Sequence, residues 1–244
     1  SECCTESAAG RTMMECSAIV LAAGSGKRMG SAIKKQYLEI QGMPVLAYSL
    51  RCFARQPYIK EIILVTSAEE IDYCQKEIVD KYKISKVKNI IPGGKERCNS
   101  VYEGLKSCGE TSYVFIHDGA RPFISDALLA ALYADVQKYS ACIAAVPAKD
   151  TIKIADAEGN ICDTPDRRFV WQAQTPQVFE RQLILESYQK ALTEEAPGLT
   201  DDASCVEYSG GTAVHLTKGS YDNIKITTPE DLIPAKTLAE KYQL

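Results

Sequence analysis

The chain has 244 residues, of which 45% are hydrophobic and 25% are charged, which is ordinary for a globular protein built around one large domain. Its formal net charge of -4 argues against a broad nucleic-acid-binding face, which would need clustered basic residues. No apolar run approaches the ~20 residues of a membrane-spanning helix, so we expect a cytoplasmic protein with neither nucleic acid nor a membrane as a partner.

Residues 1–16 are small and polar and contain no apolar stretch of the kind found in a signal peptide. We expect them to form a disordered N-terminal extension, and residues 17–244 to form one domain. Ten cysteines are spread irregularly along the chain with no C-x-x-C pair. Because a thiolate zinc site needs paired ligands at short spacing, reduced thiols are the simpler interpretation.

Apolar, β-branched runs alternate with segments of helical periodicity through the first 148 residues. The predicted strands are 17–23, 61–67, 89–94, 113–118 and 142–148, and the predicted helices are 44–56, 69–82, 97–108 and 125–139. Most of these strands lack polar alternation, which indicates burial on both faces. The alternation predicts an α/β fold with a Rossmann-like, mainly parallel sheet and helices on both faces.

Residues 149–179 break this pattern. They contain short β-like runs around a turn at 157–160, and they have no long helix. We expect a protruding β-hairpin arm. Because the segment is rich in apolar and aromatic residues, a partner subunit is a plausible surface for it to pack on.

A glycine-rich loop follows the first predicted strand, with the sequence LAAGSGKRMG at 21–30. It does not match the dinucleotide pattern G-x-G-x-x-G, since its third glycine comes one residue too late. It does not match the P-loop either, because Leu21 replaces the first glycine and Arg28 replaces the Ser or Thr. Backbone N–H groups of such a loop can still hold phosphate, with Lys27 and Arg28 adding charge and Lys35 close behind.

Polar residues also follow the fourth predicted strand, in HDGARPF at 117–123. A carboxylate at the end of a buried strand, Asp118, suits Mg²⁺ bridging substrate phosphates, and Arg121 can bind an anion. A structural Asp–Arg pair is the alternative interpretation. We expect His117 to make a hydrogen bond within the fold. Late in the chain, Asp222 is a candidate second carboxylate and Lys225 a candidate phosphate ligand.

The segment PGGKERCNS at 92–100 follows the third predicted strand. The backbone around Gly94 and Lys95, with the Ser100 hydroxyl, could bind the edge of a nucleobase. A turn followed by a helix cap would explain the same residues. Ligands of open α/β sheets bind beyond the carboxyl ends of the strands, so we expect these three polar segments to meet at one edge of the sheet.

Together these segments resemble the 2-C-methyl-D-erythritol 4-phosphate cytidylyltransferase family across residues 17–244. The motifs that carry the resemblance, in family order, are AAGSGKRM, KKQYLEI, GGKERCNSV, HDGARPF, RFVWQAQTPQVF, TDDAS and DNIKITTPEDL. The resemblance implies a nucleotidyltransferase-type fold. It also implies a reaction of CTP with methylerythritol phosphate that gives 4-diphosphocytidyl-2-C-methyl-D-erythritol and pyrophosphate, with Mg²⁺ as cofactor.

Site residues are implied by the same matching positions. The implied catalytic cations are Arg28, Lys35, Arg167 and Lys225, and the implied metal ligands are Asp118 and Asp222. The implied CTP-binding positions are Ala22, Ala23, Gly24, Ser25, Gly26, Gly94, Lys95 and Ser100. The implied sugar-phosphate contacts are Arg121, Thr151, Arg167, Thr175 and Thr200. Thr151 and Arg167 lie on the arm and serve the partner's site in the family, which implies a homodimer with exchanged arms.

The sequence departs from the family pattern at Lys95, where an aspartate is frequent. Arg168, next to Arg167, is the alternative candidate for the catalytic arginine. Ribitol-5-phosphate cytidylyltransferase is the alternative enzyme, but GA within HDGARP, the VWQAQTP context and TDDAS favour the methylerythritol family. A nucleotide-binding regulator without turnover is the alternative from another class. The presence of Arg28, Lys35 and Asp118 weighs against it.

Overall fold

The computed structural model describes residues 13–24 and 35–242. Its strands are β1 (Cys16–Leu21), β2 (Glu39–Ile40), β3 (Met43–Pro44), β4 (Ile59–Thr66), β5 (Val87–Pro92), β6 (Tyr113–Asp118), β7 (Ala141–Pro147), β8 (Ile154–Ala155), β9 (Ile161–Asp163), β10 (Trp171–Glu180) and β11 (His215–Lys218). Its α-helices are α1 (Val45–Ala54), α2 (Ile71–Tyr73), α3 (Arg97–Ser107), α4 (Asp126–Tyr139), α5 (Arg181–Thr193), α6 (Asp202–Ser209) and α7 (Leu232–Tyr242).

Seven strands form one sheet in the order β11-β7-β10-β6-β1-β4-β5. β1 pairs in parallel with β4 and β6, β4 pairs in parallel with β5, and β7 pairs in parallel with β11. Only β10, among the described strands of this sheet, runs antiparallel to its neighbours β6 and β7. The prediction of a mainly parallel sheet is therefore confirmed.

Helices cover both faces of the sheet, as predicted. On one face, Leu46 and Phe53 of α1 and Leu129 of α4 belong to one buried apolar cluster. On the other face, Leu105 of α3 and Tyr188 of α5 belong to a second cluster. Strands buried on both sides need apolar residues at consecutive positions, which explains the lack of polar alternation in the sequence. No helix in the described ranges is both long and apolar enough to cross a membrane.

The predicted elements of the first 148 residues agree with the structure to within about two residues at each end. The strand predicted at 113–118 is β6 with the same bounds. The helix predicted at 69–82 is irregular, because it consists of a 3₁₀ turn (Ala68–Glu70), α2, and a π-helical stretch (Cys74–Asp80). Thr228 and Asp231 form a reciprocal capping box before α7.

The arm predicted at 149–179 ends too late in the chain. Residues 171–179 lie in β10, which is inserted between β6 and β7 in the middle of the sheet. The sequence does not predict a central strand here, because proline and polar residues are unfavourable in one. The residues concerned are Pro176 and the buried polar residues Gln174, Thr175 and Gln177. The structure accommodates them with an irregular register between Ala173 and Gln177 and with hydrogen bonds to the polar side chains.

The rest of that segment, residues 148–170, extends from the sheet, and we call it the hairpin segment. It contains the antiparallel pair of β8 and β9, joined through a turn in which Gly159 has φ of 88°. Its large apolar side chains are exposed, with relative accessibilities of 49% for Ile154, 63% for Ile161 and 79% for Phe169. These side chains lack a core within this chain's described residues.

The predicted N-terminal extension is also too long. Cys16 is the first residue of β1 and is fully buried. Two residues earlier, the backbone N–H of Met14 donates to the hydroxyl of Tyr133 on α4 (2.9 Å). Residues 1–12 of the predicted extension lie outside the described residues. The ordered domain thus begins before residue 17.

Candidate active site

A cavity of about 370 Å³ opens at the carboxyl ends of β1, β5 and β6. Its lining residues are Leu21, Ala22, Ala23, Gly24, Gln36, Gly94, Lys95, Glu96, Arg97, Ser100, Asp118, Ala120 and Lys225. We call it the carboxyl-end cavity. All three polar segments that the sequence placed at this edge contribute to it, because the parallel strands β1, β5 and β6 end on the same side of the sheet.

One wall of the cavity is a tight backbone turn between β5 and α3. A Cβ atom on Gly93 would lie 2.7 Å from both Ala23 Cβ and Ser100 Oγ, so only glycine fits without displacing a neighbour. The Ser100 hydroxyl accepts a hydrogen bond from the Gly94 N–H (3.1 Å) and lies 3.2 Å from the Glu96 carbonyl. These contacts pack the turn closely against Ala23 at the end of β1.

Gln36 closes the cavity from the segment that precedes β2. Its amide nitrogen donates to the Ala22 carbonyl (2.7 Å), which fixes the side chain against the end of β1. Its amide oxygen is buried and has no donor among the described residues. Since a buried acceptor without a partner is costly, this oxygen is suited to receive an N–H group from a ligand.

Arg97, the first residue of α3, links two carboxylates below the cavity. Its Nη1 and Nη2 atoms each donate to the Asp202 carboxylate at 2.9 Å, and Asp202 is fully buried. Its Nε lies 3.4 Å from Asp118 Oδ1. The hydroxyl of Tyr188 also donates to Asp202 (2.5 Å). Burial alone would lower the pKa of Arg97, but the two carboxylates outweigh it and raise that pKa above its ordinary value.

Asp118, the last residue of β6, is held in its charged form. Lys225 Nζ lies 2.8 Å from its Oδ2, opposite the contact with Arg97. Burial by itself would raise the pKa of Asp118, but the positive charges of Arg97 and Lys225 hold it well below its usual range. The side chain is 12% exposed, so an ionised carboxylate faces the cavity.

His117 and Thr175 lie beneath this carboxylate. The Thr175 hydroxyl accepts from the Asp118 backbone N–H (3.0 Å) and lies 2.9 Å from His117 Nδ1, while His117 Nε2 lies 3.0 Å from the Arg121 carbonyl. His117 is fully buried, and burial lowers its pKa to about 4. The prediction that His117 makes a hydrogen bond within the fold is confirmed. The Thr175 hydroxyl also bonds within the fold, and its substrate contact stays a prediction.

Arg121 is partly buried beside these residues. Its Nη1 donates to the Asn223 carbonyl (2.6 Å), whereas its Nε is buried and has no acceptor among the described residues. Burial lowers the pKa of Arg121, but a guanidinium keeps its proton in proteins. Arg121 is not among the residues that line the carboxyl-end cavity. An unpaired donor on a charged group would still favour an anion that reached it.

Several predicted residues cannot be placed. Ser25, Gly26, Lys27 and Arg28 lie outside the described residues, and the description of Lys35 is limited to its backbone, which opens the short helix Lys35–Tyr37. The roles implied for these positions stay predictions.

Other predicted residues are described but do not line the carboxyl-end cavity of this chain. Thr151 and Arg167 are exposed in the hairpin segment, where Arg167 Nη1 donates to the Lys149 carbonyl (2.6 Å). Arg168 instead pairs with Asp166, so the two adjacent arginines differ in their contacts. Thr200 is exposed, with its N–H 3.2 Å from Ser204 Oγ.

Asp222 is turned away from the cavity lining. Its carboxylate accepts from Lys241 Nζ (2.6 Å) and from the Tyr242 hydroxyl (2.7 Å), both on α7. Within the described part of the chain, no group of three or more His, Cys, Asp or Glu side chains could hold a metal ion. Asp118 and Glu96 are the carboxylates among the described residues that line the cavity, and Asp222 is not one of them.

Arg97 and Asp202 are the residues that sequence reasoning missed. Arg97 stands inside the segment singled out at 92–100, and Asp202 lies within TDDAS, but their ion pair joins positions 105 residues apart. A pairwise contact over that separation has no signal in a single sequence. The charged type of Asp202 would also have suggested an exposed residue.

Comparison with known proteins identifies the family of this chain. A sequence model of the family named 2-C-methyl-D-erythritol 4-phosphate cytidylyltransferase (IspD) matches residues 16–241. The family protein of Lachnospira eligens is 49% identical over 216 residues, covering 88% of this chain and 95% of that protein. The one from Caldanaerobacter subterraneus is 47% identical over 232 residues, covering 93% of this chain and 100% of that protein.

Solved structures give the same assignment. The crystal structure of 4-diphosphocytidyl-2C-methyl-D-erythritol synthase from Anaerococcus prevotii superposes with a TM-score of 0.84 at 36% identity, covering 95% of this chain and all of that one. A Francisella tularensis structure of 2-C-methyl-D-erythritol 4-phosphate cytidylyltransferase superposes with a TM-score of 0.77 at 29% identity, covering 94% of this chain and all of that one. The chain belongs to the 2-C-methyl-D-erythritol 4-phosphate cytidylyltransferase family.

Proposed function

We propose that the carboxyl-end cavity is where this protein transfers the cytidylyl group of CTP to 2-C-methyl-D-erythritol 4-phosphate, with release of pyrophosphate. One observation carries the assignment of the reaction to this cavity. An ionised Asp118 lies between Lys225 and Arg97. Beside it is a tight turn in which position 93 accepts only glycine. The charged cluster suits phosphates and the tight turn suits a flat base, so one ligand with both parts fits the site.

The attacking group needs no catalytic base. A phosphate monoester has a second pKa of ~6, so the substrate phosphate is already an anion near pH 7. His117 would be the obvious base, but it is buried, has a pKa of about 4, and uses both ring nitrogens within the fold. The protein's task is to hold this oxygen in line with the departing pyrophosphate and to stabilise charge at the α-phosphorus.

We assign different phosphate groups of the substrates to the described cations. Lys225 reaches the cavity beside Asp118, and we assign it to the α-phosphate. Arg121 has a buried Nε without an acceptor, and we assign it to the phosphate of the sugar substrate. From the family resemblance, we assign Arg28 and Lys35 to the five-coordinate transition state. Thr175 and Thr200 remain proposed contacts of the sugar phosphate.

We assign the cytosine ring to the turn at 93–95. Ala22 and Ala23 at the end of β1 line the cavity together with Gly94 and Lys95, and the Ser100 hydroxyl accepts from the Gly94 N–H. We infer that the close packing at Gly93 narrows this pocket to a single ring, which would disfavour purines. A backbone contact at residue 95 works with lysine as well as with aspartate, so the departure there does not disturb this assignment.

Asp118 fits a magnesium ion that also binds substrate. Mg²⁺ commonly takes one or two carboxylates together with phosphate oxygens. Asp118 is ionised and faces the cavity, and its Oδ1 has only the long 3.4 Å contact with Arg97. When bound there, Mg²⁺ would neutralise phosphate charge during the transfer. Asp222 would join it only if its side chain left Lys241 and Tyr242.

We propose that two copies assemble through the hairpin segment. Ile161 and Phe169 expose most of their apolar surface, and an exposed patch of this kind favours a protein partner. Thr151 and Arg167 lie in the same segment, away from this chain's own cavity. In an arm-exchanged dimer they would serve the partner's cavity.

The reaction is tested by pyrophosphate release from CTP and Mg²⁺, with methylerythritol phosphate and ribitol 5-phosphate offered in parallel. We expect release with methylerythritol phosphate alone. Release with ribitol phosphate alone would keep the mechanism and change the substrate. No pyrophosphate release with either substrate would favour a nucleotide-binding regulator.

The exchange of arms is tested by mixing two inactive variants, Arg28→Ala and Arg167→Ala. If Arg167 serves the partner's site, mixed dimers contain one site with both arginines intact, and we expect activity to return to at most about a quarter of wild type from random pairing. No recovery, with subunit exchange verified by a tag pull-down, would place both arginines at the same chain's site.

A further inference from the structure

A closed ring of hydrogen bonds lies directly beneath the charged groups of the carboxyl-end cavity. It begins at Thr175 on β10, whose hydroxyl accepts from the Asp118 N–H (3.0 Å). The same hydroxyl is 2.9 Å from His117 Nδ1, and His117 Nε2 is 3.0 Å from the Arg121 carbonyl. Because a carbonyl can only accept, Nε2 carries the ring proton, and the Thr175 hydroxyl donates to Nδ1.

Asn223 closes the ring from the segment before α7. Its side-chain amide nitrogen donates to the Thr175 backbone carbonyl (2.8 Å), and its backbone carbonyl accepts from Arg121 Nη1 (2.6 Å). Its backbone N–H donates to the Ser220 carbonyl (3.1 Å). Asn223 is fully buried and does not line the cavity. Its amide nitrogen and backbone groups bond to protein neighbours, whereas its side-chain oxygen has no donor among the described residues.

The ring fixes two chain segments that carry the charged groups. Asp118 and Arg121 lie on the segment that leaves β6. Lys225 lies two residues after Asn223, and the next residue, Ile226, donates its N–H to the Ala120 carbonyl (2.9 Å). The ion pair of Lys225 with Asp118 spans these same segments at 2.8 Å. Loosening of the ring would therefore shift Lys225, which lines the cavity, and Arg121, which lies beside Asp118 and Asn223.

We propose that His117 and Asn223 are positioning residues of this enzyme, and that they act through Arg121 to orient the sugar phosphate. The inference rests on the proposed function, since it assigns Arg121 to that phosphate. A guanidinium held on one side by a buried carbonyl keeps its other donors fixed before substrate arrives. Preorganised donors of this kind stabilise charge without reorganisation during the reaction.

The test is a double-mutant cycle between Asn223 and Arg121, read as KM for each substrate. We expect Asn223→Ala to raise KM for methylerythritol phosphate about tenfold, which is ~1.4 kcal/mol, and to change KM for CTP less than about threefold. In an Arg121→Ala background, the same Asn223 substitution should add less than about twofold, because the residue through which it acts is gone.

Three further variants distinguish a positioning role from a general loss of structure. His117→Gln retains an N–H that can reach the Arg121 carbonyl and should keep most of the activity, whereas His117→Leu should reproduce the Asn223→Ala pattern. If Asn223→Ala does not fold, the two His117 variants carry the same cycle. Ser187→Ala removes a buried hydroxyl on α5 away from the ring and should leave both KM values unchanged.

Two results would overturn the positioning role and leave a purely structural one. The first is an equal rise in KM for both substrates. The second is an Asn223→Ala effect on KM that is as large in the Arg121→Ala background as in the wild-type protein. The activity of the wild-type protein shows whether the positioning inference alone is wrong or the proposed function is wrong as well. If the wild-type protein releases pyrophosphate with methylerythritol phosphate while the cycle is additive, only the positioning inference fails.

Discussion

Removing the charge of Asp202 should destabilise the fold strongly, although this residue touches no solvent and lies outside the cavity lining. Asp202 is fully buried, and both of its carboxylate oxygens accept from Arg97 at 2.9 Å. Asp202→Asn keeps the shape but removes the negative charge and replaces one of the two acceptor oxygens with an NH₂ donor. Asp118, 3.4 Å from Arg97 Nε, is then the carboxylate that remains beside Arg97. The Tyr188 hydroxyl also loses a charged acceptor.

The magnitude follows from burial. Breaking one partner of a buried ion pair typically costs about 3–5 kcal/mol. The Arg97 side chain is 32% exposed and retains Asp118, so water and that carboxylate offset part of the loss. We therefore expect the lower end, about 3 kcal/mol in the free energy of unfolding, and a fall in Tm of roughly 6–12 °C for a chain of this size.

Urea unfolding at a fixed protomer concentration measures this loss, since dimer formation would make the midpoint depend on concentration. The matched control is Glu15→Gln, which removes the charge of Glu15 from its 2.6 Å pair with Lys60, where both side chains are more than half exposed. It should cost less than about 1 kcal/mol. If Asp202→Asn costs no more than this control, the argument that the buried pair stabilises the site is wrong.

Further predictions concern the base pocket, the pH dependence and the thiols. Gly93→Ala would place a methyl group 2.7 Å from Ser100 Oγ, and we expect about a tenfold loss of CTP affinity by calorimetric titration, at the lower end of the usual cost of overpacking; unchanged affinity would remove the base from this turn. Burial lowers the pKa of His117 from 6.5 to about 4, so the unfolded chain binds a proton that the folded chain excludes between these values. The free energy of unfolding should therefore fall by up to ~1.4 kcal/mol per pH unit as pH drops through this window. His117→Gln should flatten the slope, and parallel curves would contradict the shift. At pH 8 a thiol reagent should label the exposed Cys162 rapidly and leave Cys142 protected, because burial raises the pKa of Cys142 to about 12; mass spectrometry that finds both labelled at one rate would refute this.

Local patterns in the sequence were sufficient for the α/β class and for the edge of the sheet where the site lies. β6 could be predicted to the residue because its apolar run and the turn after it are both contiguous in the chain. The same holds for Asp118, since a polar residue at the end of a buried parallel strand must lie at the carboxyl edge of the sheet. Spacing and residue type contain this information without any knowledge of distant partners.

Only the tertiary structure decided the position of β10 and the pairing of Arg97 with Asp202. β10 is polar at Gln174, Thr175 and Gln177, and such residues are stable in a central strand only when distant segments supply hydrogen bonds. Asp202 is likewise tolerated in the interior because Arg97, far away in the chain, neutralises it. The polarity of a residue predicts whether it prefers water to the interior. Whether a polar residue is nevertheless buried depends on the hydrogen-bond partners that folding brings to it.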